Sequence, residues 1–169
     1  MSTHDAHSLE TLAAEVGRLL QANGQRLATA ESCTGGWVGQ CLTAVAGSSA
    51  WFERGFITYS NAAKTELLDV AEQTLAAHGA VSEATAAEMA QGALRHSHAD
   101  WALSITGIAG PTGGSPGRPV GTVCFAWVVT DGQTITETRH FDGDRQNIRA
   151  QAVAHALRGL LQHAASSVA

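Results

Sequence analysis

The stretch Arg26-Leu27-Ala28-Thr29-Ala30-Glu31-Ser32-Cys33-Thr34-Gly35-Gly36 changes character in its middle. Residues 26–31 read as a short strand. From Ser32 onward the apolar positions Val38, Cys41, Leu42 and Val45 recur on one helical face. A strand that runs into a helix, repeated along a chain, builds an α/β fold with a parallel sheet. Upstream, Leu9, Leu12, Val16, Leu19 and Leu20 fall at helical spacing and Asn23-Gly24 supplies a stop. Downstream come a strand over 52–59, short helical pieces over 61–78, a helix from the N-cap Ser82 to about 98, and a strand over 101–106. Residues 107–119 hold five glycines and all three prolines, too many for a regular element. Strands over 120–130 and 134–141 meet at Asp131-Gly132, a strong hairpin signal. The last helix starts near Asp144, with Ile148, Val153, Ala156, Leu157, Leu160 and Leu161 on its apolar face.

Helices between strands imply parallel crossovers, and the hairpin implies one antiparallel pairing. The expectation is an α/β fold with a mixed, mostly parallel five-stranded sheet between helices, as a single domain over 1–169. The glycine- and proline-rich stretch sits between two core strands and reads as an active-site loop.

Composition narrows the function. The chain has 169 residues, 44% of them hydrophobic and 15% charged, with a net charge of −5. No densely basic stretch offers a footprint for nucleic acid or an anionic membrane, although a local pocket could still take a small anion. Cys33, Cys41 and Cys124 form no C-x-x-C pair and are odd in number, which suits a reducing cytosol. Residues 1–10 are polar and lack the basic and apolar regions of a signal peptide. A cytoplasmic protein is expected. The eight histidines make no metal signature, so no metal is expected.

Lys64 is the only lysine and Tyr59 the only tyrosine, five residues apart at a strand end and the next helix start. A genomic preference for arginine explains the scarcity but not the clustering. Arginine cannot accept a proton near neutral pH, whereas a desolvated lysine can. Ser32 stands at a strand-to-helix turn, where unpaired helix N–H groups would favour developing negative charge. For an isolated serine there, a plain N-cap is the better reading. Cys33 is a rival nucleophile with no histidine nearby in sequence. Arg145, in Asp142-Gly143-Asp144-Arg145 at a helix start, could reach an anionic group.

Taken together, Ala30-Glu31-Ser32-Cys33-Thr34-Gly35-Gly36, Tyr59-Ser60-Asn61 with Lys64, Gly79-Ala80-Val81-Ser82-Glu83, Thr106-Gly107-Ile108-Ala109-Gly110-Pro111 with Gly113-Gly114, Pro119-Val120-Gly121-Thr122-Val123 and Phe141-Asp142-Gly143-Asp144-Arg145 resemble the C-terminal domain of the competence-damage-inducible CinA family. That family includes stand-alone nicotinamide mononucleotide deamidases. The resemblance implies a three-layer α/β/α fold, usually a homodimer, and cofactor-free hydrolysis of the nicotinamide carboxamide of a nucleotide substrate. It places Ser32, Tyr59, Lys64 and Thr106 on the family's active-site positions. The catalytic set is then Ser32, Tyr59 and Lys64. Thr34, Gly35, Gly36, Thr106, Gly107 and Arg145 are the candidate substrate-binding residues, the first five also offering backbone N–H groups to an oxyanion. Other classes fit less well. A short-chain dehydrogenase needs Tyr-x-x-x-Lys and a β-lactamase-type enzyme Ser-x-x-Lys, while here Tyr59 and Ser60 stand five and four residues before Lys64. A non-catalytic nucleotide-binding or regulatory domain remains the alternative.

Overall fold

The computed structural model describes residues 3–166; residues 1, 2 and 167–169 of the expected 1–169 domain lie outside it. In chain order the elements are α1 (Thr3–Ala22), β1 (Leu27–Glu31), α2 (Trp37–Thr43), β2 (Phe52–Ile57), α3 (Asn61–Leu68), α4 (Glu72–His78), α5 (Glu83–Arg95), β3 (Trp101–Gly107), β4 (Thr122–Val129), β5 (Thr134–His140) and α6 (Arg145–Ser166). The strands form one sheet in the order β2-β1-β3-β4-β5. β1 pairs in parallel with both β2 and β3.

The Asp131-Gly132 hairpin gives the antiparallel β4–β5 pair, with Asp131 in the left-handed region at φ 58°. A second antiparallel pair, β3–β4, joins it. No helix separates those two strands, so the loop over 108–121 returns the chain beside β3 instead of crossing over.

The period-two alternation of the strands sorts side chains into two layers. Leu27, Trp101, Leu103, Ile105, Val123, Phe125 and Trp127 face α1, α2 and α6. Ala28, Ala30, Ala102, Ala126 and Val128 face the other way, toward Met89, Ala90 and Ala93 of α5. Burying one of the larger aliphatic side chains contributes roughly 1.5–3 kcal/mol, so the first layer supplies most of the apolar stabilisation. The alanine face lets α5 lie close to the sheet, and Gly92 extends that closeness to α3: a Cβ there would stand 2.0 Å from the Leu68 carbonyl oxygen.

The helix expected to open at Ser32 begins instead at Trp37. Gly35 and Gly36 take φ values of 61° and 97°, in the left-handed region, which a right-handed helix cannot run through. Residues 32–36 are therefore a tight turn hung on the end of β1. Because β1 lies between β2 and β3, with crossovers leaving to opposite faces, its carboxyl end is a topological switch point, where open α/β sheets place ligands.

Candidate active site

Ser32 extends β1 by one residue: its N–H donates to the Ile105 carbonyl of β3 at 2.9 Å. Its own carbonyl accepts the Gly35 N–H at 3.0 Å, which closes the turn. Lys64 reaches the same point from α3. Ser60 caps that helix by accepting the Ala63 N–H at 3.0 Å. One turn in, Lys64 is only 1% exposed. Its Nζ lies 3.0 Å from Ser32 Oγ and donates to the Thr58 carbonyl at 2.9 Å. Neither partner is a carboxylate. Burial therefore drives the amine's pKa below its ordinary 10.5, opposed only by attraction to the Cys33 sulfur. Cys33 is a poor rival nucleophile. Burial pushes its thiol up to about 12, against smaller effects of its own backbone N–H and Arg149, and leaves it protonated at neutral pH.

Ser32 and Lys64 open into a cavity of about 280 Å³ beyond the carboxyl ends of β1, β2 and β3. Tyr59, Thr106, Gly107 and Arg145 line it with them. A wider depression of about 430 Å³ beside Phe141 and His155 shares no residue with this cavity. Tyr59 is exposed at the rim, where its hydroxyl accepts from Arg145 Nη2 at 2.9 Å. Arg145 Nη1 donates to the Gly110 carbonyl at 2.8 Å. Both partners of Arg145 are neutral, so its charge is available to an anion at the mouth. Thr106 lines the wall, but its hydroxyl donates to the Ala80 carbonyl at 2.7 Å and so ties the segment before α5 to β3.

Thr34, Gly35 and Gly36 are not part of this cavity. They border a separate surface groove with Trp37 and Arg149. The expectation that Ser32 sits among unpaired helix N–H groups is also corrected. Glu31, only 2% exposed, occupies that position: Oε1 accepts the Thr34 hydroxyl at 2.7 Å and the Val38 N–H at 2.9 Å, and Oε2 accepts the Gly39 N–H at 3.1 Å. The amides at the start of α2 are thus spent on a buried carboxylate.

Sequence reasoning missed three residues. Asn61 lines the cavity at the first position of α3; its place beside Tyr59 and Ser60 was the available signal. Glu31 carried none beyond its position before Ser32. Arg149 stands four residues after Arg145, on the same side of α6, and that spacing was its only signal. Its Nε and Nη2 each donate at 3.0 Å, to the carbonyls of Cys33 and Thr34.

With this geometry in place, the comparisons with known proteins are specific. The family model of the CinA C-terminal domain matches residues 9–164. The nicotinamide-nucleotide amidohydrolase PncC of Escherichia coli is 56% identical over 154 residues, 91% of this chain and 93% of that protein. The protein of the same name from Pseudomonas putida is 49% identical over 91% of this chain and 96% of its own length. Among solved structures, a competence-damaged protein (CinA) superfamily protein from Klebsiella pneumoniae superposes with a TM-score of 0.90 at 45% identity, covering 94% of this chain and 98% of that one. The competence/damage inducible protein CihA from Agrobacterium tumefaciens gives 0.89 at 44%, over 92% and 94% of the two chains. Match length, identity and fold agree, and the chain belongs to the CinA C-terminal domain family.

Proposed function

We propose that the chain is an amidohydrolase that converts nicotinamide mononucleotide to nicotinic acid mononucleotide and ammonia, in the recycling of pyridine nucleotides. The observation that carries this reading is the buried Lys64 amine 3.0 Å from Ser32 Oγ, with no carboxylate bonded to it among the described residues. A neutral lysine can donate one N–H to the Thr58 carbonyl and still present its lone pair to the Ser32 hydroxyl. The Ser32 oxygen then attacks the carboxamide carbon as its proton passes to Lys64. Collapse of the tetrahedral intermediate breaks the C–N bond, and Lys64 returns the proton to the departing nitrogen, which leaves as ammonia. Water attacks the acyl-enzyme, gives its proton to Lys64, and Ser32 leaves reprotonated. The contact between Ser32 and Lys64 is direct, so the proton need not pass through Tyr59, whose hydroxyl is engaged by Arg145.

Thr34, Gly35 and Gly36 border a separate groove while Gly107 lines the cavity, so the oxyanion is assigned to the Gly107 side. Arg145 is assigned to the substrate's phosphate. The reading requires no metal or cofactor. We place the activity in one domain over 1–169 and in a homodimer, as the family resemblance implies, and in the cytoplasm, as the three free cysteines suggest. Among the described residues no helix is long and apolar enough to cross a membrane.

The test is ammonia release from nicotinamide mononucleotide by the pure protein, with the nucleotide product followed by chromatography. Turnover that Ser32→Ala abolishes supports the reading. Binding of the nucleotide without turnover would replace it with a non-catalytic nucleotide-binding or regulatory role.

A further inference from the structure

Arg149 is bonded in an unusual way for an arginine on an amphipathic helix. It is half-buried, and both bonded donors go to consecutive backbone carbonyls, Cys33 and Thr34, at 3.0 Å each. The guanidinium also lies over the Trp37 ring, 5.3 Å from its centroid. The carbonyls belong to the turn that carries Ser32. Two neighbouring carbonyls turned toward one point repel each other, because their dipoles align with the negative ends together. A planar cation that donates to both removes that repulsion and fixes the two peptide planes. Stacking on Trp37 holds the guanidinium in register.

The turn is then held at several points, one of them the Trp37 N–H, which donates to the Thr34 carbonyl at 3.1 Å. Ser32 N–H is bonded to β3 and the Ser32 carbonyl to Gly35. Glu31 grips Thr34 from inside, and Arg149 grips Cys33 and Thr34 from α6. The grips other than that of Arg149 lie within the sheet, the turn and the start of α2. Lys64 reaches the Ser32 side chain from α3, whereas Arg149 ties the backbone of the turn to a distant element, the helix whose first residue, Arg145, reaches Tyr59 and Gly110. One helix thus holds the turn bearing the nucleophile and the rim of the cavity in a fixed relation.

We infer that Arg149 is a positioning residue for Ser32: its clamp on the Cys33 and Thr34 carbonyls keeps the serine oxygen within reach of Lys64. This rests on Ser32 being the nucleophile of the proposed amidase. Arg149 borders a groove apart from the cavity and touches none of the reacting groups. Its loss should therefore lower kcat and leave KM nearly alone.

The experiment compares wild type, Arg149→Ala and Arg149→Lys for kcat, KM and Tm, assayed well below the lowest Tm. Arg149→Ala should lose roughly 100-fold in kcat, the scale of a misplaced reacting group, with KM within about threefold of wild type. Arg149→Lys should recover little, because one ammonium cannot match the planar fork. Guanidinium at millimolar concentration should restore part of the activity of Arg149→Ala and none of that of Ser32→Ala. A second readout does not depend on the substrate: labelling of Ser32 by a small fluorophosphonate should slow in Arg149→Ala by a similar factor.

Three outcomes would overturn the inference. They are a kcat within about threefold of wild type in both variants, a raised KM with kcat unchanged, or a loss that follows the unfolded fraction and disappears on cooling. Wild type that labels at Ser32 but releases no ammonia sinks the amidase reading and leaves the clamp to be judged by labelling rates. Wild type that neither labels nor turns over overturns both.

Discussion

A buried lysine without a carboxylate beside it favours its neutral form, and Lys64 ties that preference to both rate and stability. For the rate, the neutral amine is the active form, so kcat/KM should fall as pH drops through the depressed pKa of Lys64 and level off above it. Lys64→Arg keeps the charge but cannot deprotonate; single-turnover rates should show it as inactive as Lys64→Met. An arginine enzyme within about tenfold of wild type, some 1.4 kcal/mol in barrier, would rule out Lys64 as the base. For stability, the folded pKa lies below the unfolded one, so unfolding takes up a proton between the two. Stability then rises with pH through that window, and the burial penalty is gone above the ordinary value near ~10.4. Wild type should therefore gain on Lys64→Met in denaturation experiments as pH is raised, whatever their order at pH 7. A difference that stays flat from neutral pH to about pH 10 would mean that Lys64 titrates like an exposed lysine. Lys64 and Ser32 were legible in the sequence because one is the only lysine and the other ends a strand. The roles of Glu31 and Arg149 were not, because their partners are backbone groups whose directions depend on how residues 32–36 turn.

Within α2 and its turn, stability comes from an acid placed before the helix rather than from a capping side chain at its start. Gly36, at the N-cap, has no side chain to cap with, and Glu31 does that work from the end of β1. Glu31→Gln keeps the shape but offers an N–H donor where an acceptor is needed, facing either Val38 and Thr34 or Gly39. One buried donor then goes unmatched, at a cost of roughly 1–3 kcal/mol. Urea denaturation should show that loss with an unchanged m-value. A change below about 0.5 kcal/mol, the scale of an ordinary surface substitution, would show that water replaces the carboxylate and that the cap is incidental. Most elements were legible for reasons the structure bears out. The strands alternate large and small side chains, and α6 carries Ile148, Val153, Ala156, Leu157 and Leu160 on one buried face. A boundary and a pairing show what was not. β4 starts at Thr122 rather than at 120 because Gly121, at φ 95°, breaks the extended chain. The β3–β4 pairing is long-range, set by where the 108–121 loop returns rather than by any local pattern.

At the scale of the whole molecule, a net charge of −5 works against a substrate that carries a phosphate. Attraction must come from a local cation, and among the described residues Arg145 at the cavity mouth shares its charge only with neutral partners. Nicotinamide mononucleotide should therefore be hydrolysed with higher kcat/KM than nicotinamide riboside. A charge-assisted hydrogen bond is worth about 1.5–3 kcal/mol, or roughly ten- to 150-fold in that ratio at 1.4 kcal/mol per decade. Arg145→Ala should remove most of the preference by lowering kcat/KM on the mononucleotide, with a smaller effect on the riboside through the loosened Tyr59. Salt separates local from global electrostatics. The pull of Arg145 acts over a few ångströms, well inside the Debye length of about 10 Å at 0.1 M, whereas repulsion by the net charge comes from charges farther away and is screened more. Raising the salt from low to physiological strength should therefore leave the preference largely intact. Equal kcat/KM on the two substrates at every ionic strength would show that the cavity has no phosphate subsite and that Arg145 serves only to tie Tyr59 to the Gly110 loop.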